Sequence, residues 1–411
     1  MSSFQALSGF RDFLPPECAL RERLFALWRE SARRFGFDPY DGPPLEPLEL
    51  YKRKSGEEIV KQLYNFIDKG DREVALRPEM TPTLARMAAA AQRAYKKPLK
   101  WYSIPQLFRY ERAQRGRLRE HFQWNCDIIG EAGLGAEAEL LALIVSAFRA
   151  MGLTAADVEI RVSDRHYWKD YLARHSVPED RHYDFFQAID KVGRDPDEVV
   201  RGKLGTLADE VFGTIREGGT SPRLEELLGL LDSYGIRDFV RVDLGIVRGL
   251  AYYTGVVFEA HDRAGQFRAI AGGGRYDDLL KNLGGVDLPA LGFGMGDVVI
   301  TEILQEKGLL GSAVDGRHVF VAIPDEVHRA AALEVAALLR AGGYRVDVPL
   351  APTKIGRQFE AAQDRGAQHV IVVDGAWRAQ GTVGLKDLAT RAQASVRLTL
   401  ESGRVAGWSE A

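Results

Sequence analysis

Residues 108–129 read FRYERAQRGRLREHFQWNCDII and join an arginine-rich loop to a strand-like segment. Two strand-like stretches flank this loop, in which arginines surround Gly116: Arg109, Arg112, Arg115, Arg117 and Arg119. Guanidinium groups present planar forks that match phosphate oxygens, and they stay charged at any working pH. The loop therefore favours a nucleoside triphosphate or a nucleic-acid end as its ligand, with a solvated charged hairpin as the alternative.

The strand after this loop has one polar face. Because side chains alternate across a strand, the four residues His121, Gln123, Asn125 and Asp127 share a face. Four polar side chains in that arrangement are poorly explained as part of an apolar core. We therefore predict that this strand forms the floor of a polar pocket.

A second candidate is the segment Leu76-Arg-Pro-Glu-Met-Thr81. The carboxylate of Glu79 comes just after a strand-like stretch, beside a proline turn, and could receive a ligand amine. Glu79 or Thr81 could equally cap the alanine-rich helix that follows. The residues alone leave both interpretations open.

Three glycine-containing segments follow later in the chain. Arg248-Gly-Leu-Ala-Tyr-Tyr253 and Gly272-Gly-Gly-Arg-Tyr-Asp277 combine charged and aromatic residues with glycines, which let the backbone approach a ligand closely. Gly292-Phe-Gly-Met-Gly296 lacks the G-x-G-x-x-G spacing and the βαβ setting of a dinucleotide-binding loop, so we exclude a Rossmann site. The sequence also contains no P-loop and no metal-ligand constellation.

Length and charge limit the function classes. The chain has 411 residues, 45% of them hydrophobic and 27% charged, and a formal net charge of -3. This length predicts two or three domains. The near-neutral balance argues against a protein that coats nucleic acid with an overall positive field, so any contact with a polyanion must be local.

The cysteine content and the apolar pattern indicate a cellular location. Cys18 and Cys126 are the only two cysteines, which excludes a disulfide framework or a structural zinc site and fits a reducing cytoplasm. The N-terminus lacks the apolar run of a signal peptide, and no apolar stretch approaches the roughly 20 residues that span a bilayer. We predict a soluble, cytoplasmic protein with no membrane contact.

The pattern of elements changes twice along the chain. Strand-like segments in 1–164 and 236–308 flank a stretch of amphipathic helices at 165–235, which predicts an α+β domain with a helical insertion. Residues 306–318 are Gly-rich and polar and suit a linker. Residues 316–411 alternate β-α-β-α-β, which predicts a small, mostly parallel sheet with covered faces.

In this order and spacing, the segments resemble histidyl-tRNA synthetases, a family of class II aminoacyl-tRNA synthetases, over nearly the whole chain. The matching positions are Gly9-Phe-Arg-Asp12, Pro15, the segment around Pro43, Leu76 to Thr81, Phe108 to Asp127, Arg248 to Tyr253, Gly273 to Asp277, Lys354 to Phe359 and Leu385 to Leu388. The Arg248 and Gly273 segments resemble the two histidine-specific motifs, which other class II enzymes do not share.

This resemblance implies both a fold and an activity. It implies a class II antiparallel sheet flanked by helices over 1–164 and 236–308, a helical insertion over 165–235, and an anticodon-binding α/β domain over 316–411. The activity would be ATP-dependent activation of L-histidine to histidyl-adenylate, followed by transfer to tRNA(His). ATP would be a substrate with Mg2+ bridging its phosphates, no protein-bound metal would be needed, and the protein would be a homodimer.

The resemblance also implies residue roles. Arg109 would hold the α-phosphate, and Arg248 would stabilise charge that builds there, making these two the catalytic residues. The residues implied to bind histidine are Glu79, Thr81, Gln123, Asp127, Arg248, Tyr252, Tyr253 and Tyr276, with Glu79 on the ammonium and Asp127 accepting from the imidazole N–H. Those implied to bind ATP are Arg109, Glu111, Arg117, His121 and Phe122. Those implied to bind tRNA are Arg115, Arg117, Arg119, Lys354 and Gln358.

The chain departs from the family pattern at several positions. Asp127 stands where the family usually has Glu, and Ala251 where it usually has Asp. The order of His121 and Phe122 is reversed, so either could be the aromatic residue that packs on adenine. Val299 occupies the place of the third-motif arginine that contacts the γ-phosphate, and Arg117 or Arg275 could supply that charge instead.

These departures favour one rival interpretation. The regulatory subunit of ATP phosphoribosyltransferase, from histidine biosynthesis, shares the catalytic-domain fold and senses histidine without activating it. Such subunits generally lack the anticodon domain, which residues 317–400 resemble here. A free-standing amide ligase that uses an aminoacyl adenylate would likewise have no use for that domain.

Overall fold

A computed structural model describes residues 4–55, 57–112, 114, 116–248, 252–310, 317–401 and 404–406. The chain divides into two compact units, Met1–Gly311 and Ser312–Ala411. In the first unit the strands are β1 Asp38–Pro39, β2 Leu45–Pro47, β3 Asn65–Ile67, β4 Glu73–Leu76, β5 Leu99–Ser103, β6 Gln106–Phe108, β7 Glu120–Ile129, β8 Val158–Asp164, β9 Val240–Val242, β10 Val256–Asp262, β11 Ala271–Arg275 and β12 Ala290–Gly296. The helices of this unit are α1 Pro15–Arg34, α2 Leu48–Ser55, α3 Thr81–Ala91, α4 Gly135–Ala150, α5 Arg165–Arg174, α6 His182–Asp190, α7 Asp197–Leu204, α8 Ala208–Glu217, α9 Pro222–Ser233, α10 Leu279–Gly284 and α11 Asp297–Glu306.

One large sheet organises the first unit. Its strand order is β1-β5-β7-β12-β11-β10-β8-β9, and β6 pairs with the first residues of β7. The pairs β1–β5 and β8–β9 are parallel, whereas the central pairs from β5 to β8 are antiparallel. Strands β2, β4 and β3 form a separate small sheet. The predicted α+β architecture with a largely antiparallel sheet is confirmed.

The apolar face of the large sheet packs against α1 and α4. In α1 the apolar residues recur at helical spacing, and Leu24, Phe25 and Trp28 are buried. The ring of Trp28 stacks on Trp124 of β7, with centroids 5.9 Å apart and planes inclined by 12°. Burying each such side chain stabilises the fold by about 1.5–3 kcal/mol. This packing fixes β7 with its opposite, polar face turned away from the core.

Helices α5 to α9 follow β8, where a helical insertion was predicted, and most of them share a separate apolar core, whereas Leu227 and Leu231 of α9 join the core of the large sheet. Trp168, Phe185, Val200 and Leu224 are among the side chains that meet there. The insertion is tied to the sheet at the end of β8, where Asp164 accepts hydrogen bonds from the backbone N–H of His166 (3.0 Å) and from Arg223 Nε (3.1 Å). The first of these bonds caps α5, and the second holds α9 beside it.

The second unit is built on a five-stranded sheet in the order β14-β13-β15-β16-β17. Its strands are β13 His318–Ala322, β14 Arg345–Asp347, β15 His369–Val372, β16 Thr382–Asp387, β17 Gln393–Arg397, β18 Thr399–Glu401 and β19 Arg404–Ala406, and its helices are α12 Arg329–Ala341, α13 Ile355–Asp364 and α14 Gly375–Gln380. The β13–β14 and β13–β15 pairs are parallel, but β15–β16 and β16–β17 are antiparallel. The prediction of a mostly parallel sheet is therefore wrong for strands β15 to β17. A short connection allows β16 and β17 to pair as a hairpin.

Three smaller expectations concern the linker, membrane-spanning helices and the cysteines. The proposed linker at 306–318 falls mostly on 311–316, which lie outside the described residues. Within the described ranges, no helix combines the length and apolar character needed to cross a membrane. Cys18 and Cys126 are both free thiols.

Candidate active site

The polar face of β7 lines a pocket of about 100 Å³. Gln123, Asn125 and Asp127 all contribute to its wall, whereas the alternate residues Trp124 and Cys126 are fully buried on the other face. The alternation predicted for this strand is thus confirmed. The pocket's other walls come from β11, β12 and the segments that hold Arg109 and Arg248.

Glycines on the neighbouring strand leave room for these polar side chains. Gly292 pairs with Asp127 across β12 and β7, and an added Cβ there would overlap Asp127 Oδ1. A Cβ at Gly294 would lie 2.6 Å from the amide carbon of Gln123, which is closer than real contacts allow. Glycine is needed at both positions to keep the pocket open. This need explains the Gly292-Phe-Gly294 pattern, for which a dinucleotide-binding loop was excluded above.

A buried carboxyl lies at the base of this pocket. The hydroxyl of Tyr276 donates a short hydrogen bond to Asp127 Oδ1, and both residues are almost fully buried. Burial raises the pKa of Asp127 to about 7, and the Tyr276 hydrogen bond offsets part of this rise. The carboxyl is therefore poised to exchange a proton or accept a hydrogen bond near neutral pH.

Arg109 and Arg248 meet at the mouth of the pocket. Arg109 Nε donates to the carbonyl of Pro78 at 3.1 Å. Arg248 Nη1 donates to Glu259 Oε1 at 3.1 Å, and its backbone is in the left-handed region with φ +50°. Non-glycine residues seldom adopt that conformation, and they do so most often where a side chain must be aimed. An added Cβ at Gly272 would overlap Arg248 Nη1, so a third glycine makes room for this guanidinium.

The remaining predicted histidine-binding residues also line this pocket. Glu79, Thr81, Tyr252 and Tyr253 all contribute to its wall. The rings of Tyr252 and Tyr253 lie 4.7 Å apart, and Tyr252 is 6.0 Å from Tyr276. The structure therefore brings together every residue that the resemblance implies for histidine. The walls of this pocket offer two carboxylates, two guanidinium groups and several aromatic rings. This set matches a zwitterion with an aromatic side chain.

A second pocket, of about 240 Å³, opens from the first and is less polar. Its uncharged side includes His121, Ile270, Val298 and Val299, together with glycines of β11 and β12, and the charged residues Arg109, Arg117, Arg248 and Glu259 also line it. Burial lowers the pKa of His121 to about 3, and the nearby charges of Arg109, Arg11 and Arg117 act in the same direction. His121 is thus a neutral ring at physiological pH. A neutral ring, apolar side chains and bare backbone suit a flat heterocycle such as a purine.

The expectation that Phe122 could pack on adenine is corrected. Phe122 points to the opposite face of β7, where its ring lies 5.1 Å from Phe25 and 6.1 Å from Phe13. It lines none of the three pockets in the described part of the chain. Adjacent strand residues face opposite sides, so only His121 reaches the less polar pocket.

A third pocket, of about 440 Å³, is lined mainly by charged side chains. Its basic residues are Arg109, Arg117, Arg194 and Arg248, and its acidic residues are Glu79, Glu111, Asp190 and Glu259. Arg117 forms a close ion pair with Glu111. Arg109 and Arg248 line all three pockets, so the pockets meet at these two guanidinium groups.

Three residues of this charged pocket were missed by the sequence analysis. Asp190 and Arg194 belong to the helical insertion, where no motif marks them. Glu259 lies in β10 between the buried residues Phe258 and Ala260, and a carboxylate inside such an apolar stretch is a signal that could have been used. Its partner Arg248 explains its position.

The structure places the two suggested substitutes for the third-motif arginine in different surroundings. Val299 lines the less polar pocket and is largely buried. Arg275 is only 2% exposed, and it forms a two-pronged ion pair with Glu137, at 2.6 and 2.7 Å. It also donates to the carbonyl of Glu131. Arg275 is fully engaged inside the fold, so that suggestion is wrong, while Arg117 does line the charged pocket.

The residues expected to contact tRNA fall into three groups. Arg115 lies outside the described residues, as does Ala251. Arg117 lines the charged pocket, and Lys354 is exposed just before α13. Arg119 donates to the carbonyl of Glu111 at 3.0 Å and packs over the Tyr110 ring. Its side chain is thus engaged with its own loop.

The expectation for Gln358 is wrong. This side chain is 1% exposed. Its amide accepts from the N–H of Ile323 (2.8 Å) and donates to the carbonyls of Ile323 (2.8 Å) and Thr353 (2.6 Å). Gln358 therefore joins α13 to the end of β13 and has no surface with which to contact RNA. A polar residue in a motif gives no indication whether it faces solvent or backbone.

A buried ion-pair cluster joins the N-terminal segment to the site. Arg11 Nε donates to Glu120 Oε1 at 2.6 Å, and Arg11 Nη1 lies 2.9 Å from Asp297 Oδ2. Asp297 Oδ1 also accepts from the backbone N–H of Phe122 at 3.0 Å. Glu120 and Asp297 are nearly inaccessible to solvent. One guanidinium thus links the start of β7 to the start of α11, the two elements that frame the less polar pocket.

Comparisons with known proteins identify both parts of the chain. Residues 9–296 match the family model described as histidyl-tRNA synthetase, and residues 318–402 match an anticodon binding domain. The histidine–tRNA ligase of Opitutus terrae is 45% identical over 421 aligned residues, covering 96% of each chain. The chloroplastic/mitochondrial histidine–tRNA ligase of Arabidopsis thaliana is 40% identical over 410 aligned residues, covering 95% of this chain and 84% of that one.

A solved structure has the same fold. The crystal structure of histidyl-tRNA synthetase from Nostoc sp. PCC 7120 matches with a TM-score of 0.82, covers 97% of each chain and is 23% identical in sequence. This likeness confirms the class II fold implied by the sequence motifs. With the full-length similarity to the curated ligases and the match of residues 9–296 to the family model, the chain belongs to the histidyl-tRNA synthetase family.

Proposed function

We propose that this chain joins L-histidine to tRNA(His) at the expense of ATP. The near full-length similarity to curated histidine–tRNA ligases carries this proposal, since it includes both the catalytic sheet and the anticodon-binding unit. In the first step a carboxylate oxygen of histidine attacks the α-phosphorus of ATP, and pyrophosphate leaves. In the second step a hydroxyl of the terminal tRNA ribose attacks the carbonyl carbon of the adenylate, and AMP leaves.

Arg109 and Arg248 would act on the α-phosphate. They line all three pockets and approach their junction from different segments of the chain. Negative charge builds on the phosphoryl oxygens during the attack, and fixed cations stabilise it without reorganisation. The Glu259 carboxylate and the left-handed backbone of Arg248 hold that guanidinium in place before the substrate arrives.

The smallest pocket would hold histidine. Glu79 would pair with the ammonium group, and Asp127 would accept a hydrogen bond from the imidazole N–H while Tyr276 holds the carboxylate. Gln123 would contact the substrate from the same strand. A pocket whose buried polar groups need that ring rejects amino acids without it by several orders of magnitude. Asp127 is one methylene shorter than the usual glutamate, and Tyr276 occupies the space beside it.

The two larger pockets would hold ATP. His121 would pack on the adenine, and Glu111 and Arg117 would lie near the nucleotide tail. Among the described residues there is no cluster of three or more His, Cys, Asp or Glu side chains that could hold a metal ion unaided. Mg2+ commonly keeps several waters and takes only one or two carboxylates beside nucleotide phosphates. It would therefore enter with ATP, next to Glu111 and Glu259.

The proposal extends to domain roles and assembly. Residues 1–164 and 236–308 would form the catalytic core, 165–235 the insertion and 316–411 the anticodon-binding domain. Lys354 would contact tRNA from the exposed start of α13, and Arg115, Arg117 and Arg119 would lie near the acceptor end. We propose a cytoplasmic homodimer, with the segment around Pro43 at the interface. Sedimentation of the purified chain tests the dimer, and a fluorescent fusion tests the location.

A regulatory subunit that only senses histidine fits the chain less well. Arg109, Arg248 and Glu79 are all present and line the same cavities. The second unit matches an anticodon binding domain, which a histidine sensor would not require. The absent third-motif arginine is the feature that favoured this rival.

The decisive experiment is histidine-dependent exchange of pyrophosphate into ATP, followed by charging of tRNA(His). Purified full-length protein with Mg2+ should catalyse both reactions. A complete lack of exchange would overturn the enzymatic proposal in favour of the sensor. Exchange without charging would indicate a free-standing ligase. Alanine in place of Glu79 provides a background control, because it removes the ammonium partner.

A further inference from the structure

Three pockets that meet at two guanidinium groups match the geometry of the proposed reaction. In an in-line displacement at phosphorus, the attacking and leaving oxygens lie on opposite sides, and the nucleoside extends in a third direction. The pocket with Asp127 and Tyr276 suits histidine, and the pocket with His121 suits adenosine. The charged pocket of about 440 Å³ is left for the pyrophosphate portion of ATP.

We propose that Arg194, contributed by the helical insertion, binds the β- and γ-phosphates of ATP and the pyrophosphate that leaves. The inference rests on the proposed function and deepens it by assigning a substrate contact to the insertion. Arg194 lines the charged pocket four residues beyond the end of α6. Its guanidinium is the only cation of that pocket supplied by the helical insertion, among the residues described there.

The present partners of Arg194 leave it available for a phosphate. Arg194 Nη1 lies 3.3 Å from Asp190 Oδ2, and Arg194 Nη2 lies 3.8 Å from Glu259 Oε2. These pairs are longer than the 3.1 Å pair between Arg248 and Glu259. The Arg194 side chain is 54% exposed. Asp190 and Glu259 are only 13% and 11% exposed, but both of their distances to Arg194 are long, so phosphate oxygens can compete with these carboxylates for the guanidinium.

The two residues suggested as substitutes for the third-motif arginine are more tightly paired than Arg194. Arg117 is closely paired with Glu111, and Arg275 is buried against Glu137. The position where a third-motif arginine would stand holds Val299, whose side chain faces the adenosine pocket. Arg194 supplies a planar guanidinium fork to the charged pocket from the helical insertion. A phosphate bound there would couple ATP binding to an element outside the sheet.

The test is pyrophosphate exchange by the full-length chain, without tRNA. Arg194→Ala should raise the KM for ATP and for pyrophosphate by about tenfold to a hundredfold, as expected for a lost charged hydrogen bond to phosphate. The KM for histidine should stay within about twofold. Arg194→Lys should give an intermediate effect, because it keeps the charge and loses the fork.

A matched control comes from the same insertion. Arg181 is 64% exposed, lies 4.0 Å from Asp184 and lines none of the three pockets. Arg181→Ala should leave all three constants unchanged. An Arg194→Ala enzyme with normal constants for ATP and pyrophosphate would overturn the inference. So would a variant that has lost only affinity for tRNA, which would place Arg194 on a phosphate of the acceptor end.

Equilibrium binding separates failure of this inference from failure of the proposed function. ATP and AMP differ by the two phosphates that Arg194 would hold. Arg194→Ala should weaken ATP binding by about tenfold or more and leave AMP binding unchanged. This comparison needs no turnover, so it applies even if the wild-type chain shows no exchange. Equal weakening of both nucleotides would overturn the assignment.

Discussion

Tyr276 donates a hydrogen bond to a carboxyl of Asp127 that is enclosed so tightly that the opposing strand has room only for glycine. Burial raises the pKa of Asp127 to about 7. The same enclosure would favour a hydrogen bond between a bound imidazole and this carboxyl, because a buried polar group is costly to leave without a partner. Recognition of the substrate and the unusual pKa thus share one physical cause.

The raised pKa should appear in the pH dependence of stability. The unfolded chain ionises Asp127 near pH 4, whereas the folded chain keeps it protonated until about pH 7. Between these values stability is lost as the pH rises, by on the order of 1 kcal/mol per pH unit, and above them the loss is complete. The unfolding free energy of the wild type, minus that of Asp127→Asn, should therefore fall from pH 4 to pH 7. Denaturation curves recorded without histidine at several pH values measure this difference. A difference that does not change with pH would show that the pKa of Asp127 is not raised.

Replacing Gly292 by alanine should damage histidine binding specifically. The added methyl group would overlap Asp127 Oδ1 and displace the carboxylate from its pocket. We expect the KM for histidine to rise by at least tenfold, with a smaller change for ATP. Gly229→Ala is the control, because it adds a methyl group on α9 with no atom within 4 Å. Equal effects on both substrates would indicate general distortion of the sheet.

Arg248→Ala should separate binding from activation. Loss of a fixed cation at the reacting phosphate typically lowers kcat by about 10²–10³. Histidine should still bind, since Glu79 and Asp127 remain, and calorimetric titration can measure this. Arg241→Ala removes an exposed arginine paired with Asp243 and should leave kcat unchanged. A variant that loses histidine affinity and kcat together would assign Arg248 to ground-state binding.

Substitution of Gln358 should affect stability, whereas substitution of Lys354 in the same unit should affect tRNA binding. Gln358→Ala leaves the buried backbone groups of Ile323 and Thr353 without a partner, at a cost of about 1–3 kcal/mol. The melting temperature of this unit should fall by about 4–8 °C for each kcal/mol lost. Lys354→Ala changes an exposed side chain, so it should weaken tRNA binding and leave the melting temperature unchanged. A reversed pattern would restore Gln358 as an RNA contact.

Alternation along a strand predicted much of the site. The polar face of β7 is a local property, because each step along a strand reverses the side to which a side chain points. The same rule put His121 on the polar face and Phe122 on the opposite one, but the reversed motif order left open which of the two packs on adenine. Contact of Phe122 with Phe25 of α1 supplies that information. The choice between His121 and Phe122 therefore depends on tertiary packing.

Other parts of the site depend on tertiary contacts from the outset. Asp190 is the last residue of the amphipathic helix α6 and Arg194 lies in the turn that follows it, and only packing of the insertion brings them to the sheet. Gln358 resembled a surface residue of a motif, yet its amide is enclosed by backbone groups of a neighbouring strand. The antiparallel β16 and β17 were missed because short apolar strands carry no mark of direction.

The ion-pair cluster around Arg11 has a consequence for synthesis of the protein on the ribosome. Arg11 emerges early, but Glu120 follows 109 residues later and Asp297 much later still. At about 5–20 residues per second, the chain waits on the order of tens of seconds for its last carboxylate. Until then neither Asp297 nor the helix α11 that it begins has been synthesised, and the pocket that contains His121 lacks Val298 and Val299 of its wall. Removal of residues 1–12 should therefore leave the large sheet folded but impair nucleotide binding at the pocket that contains His121.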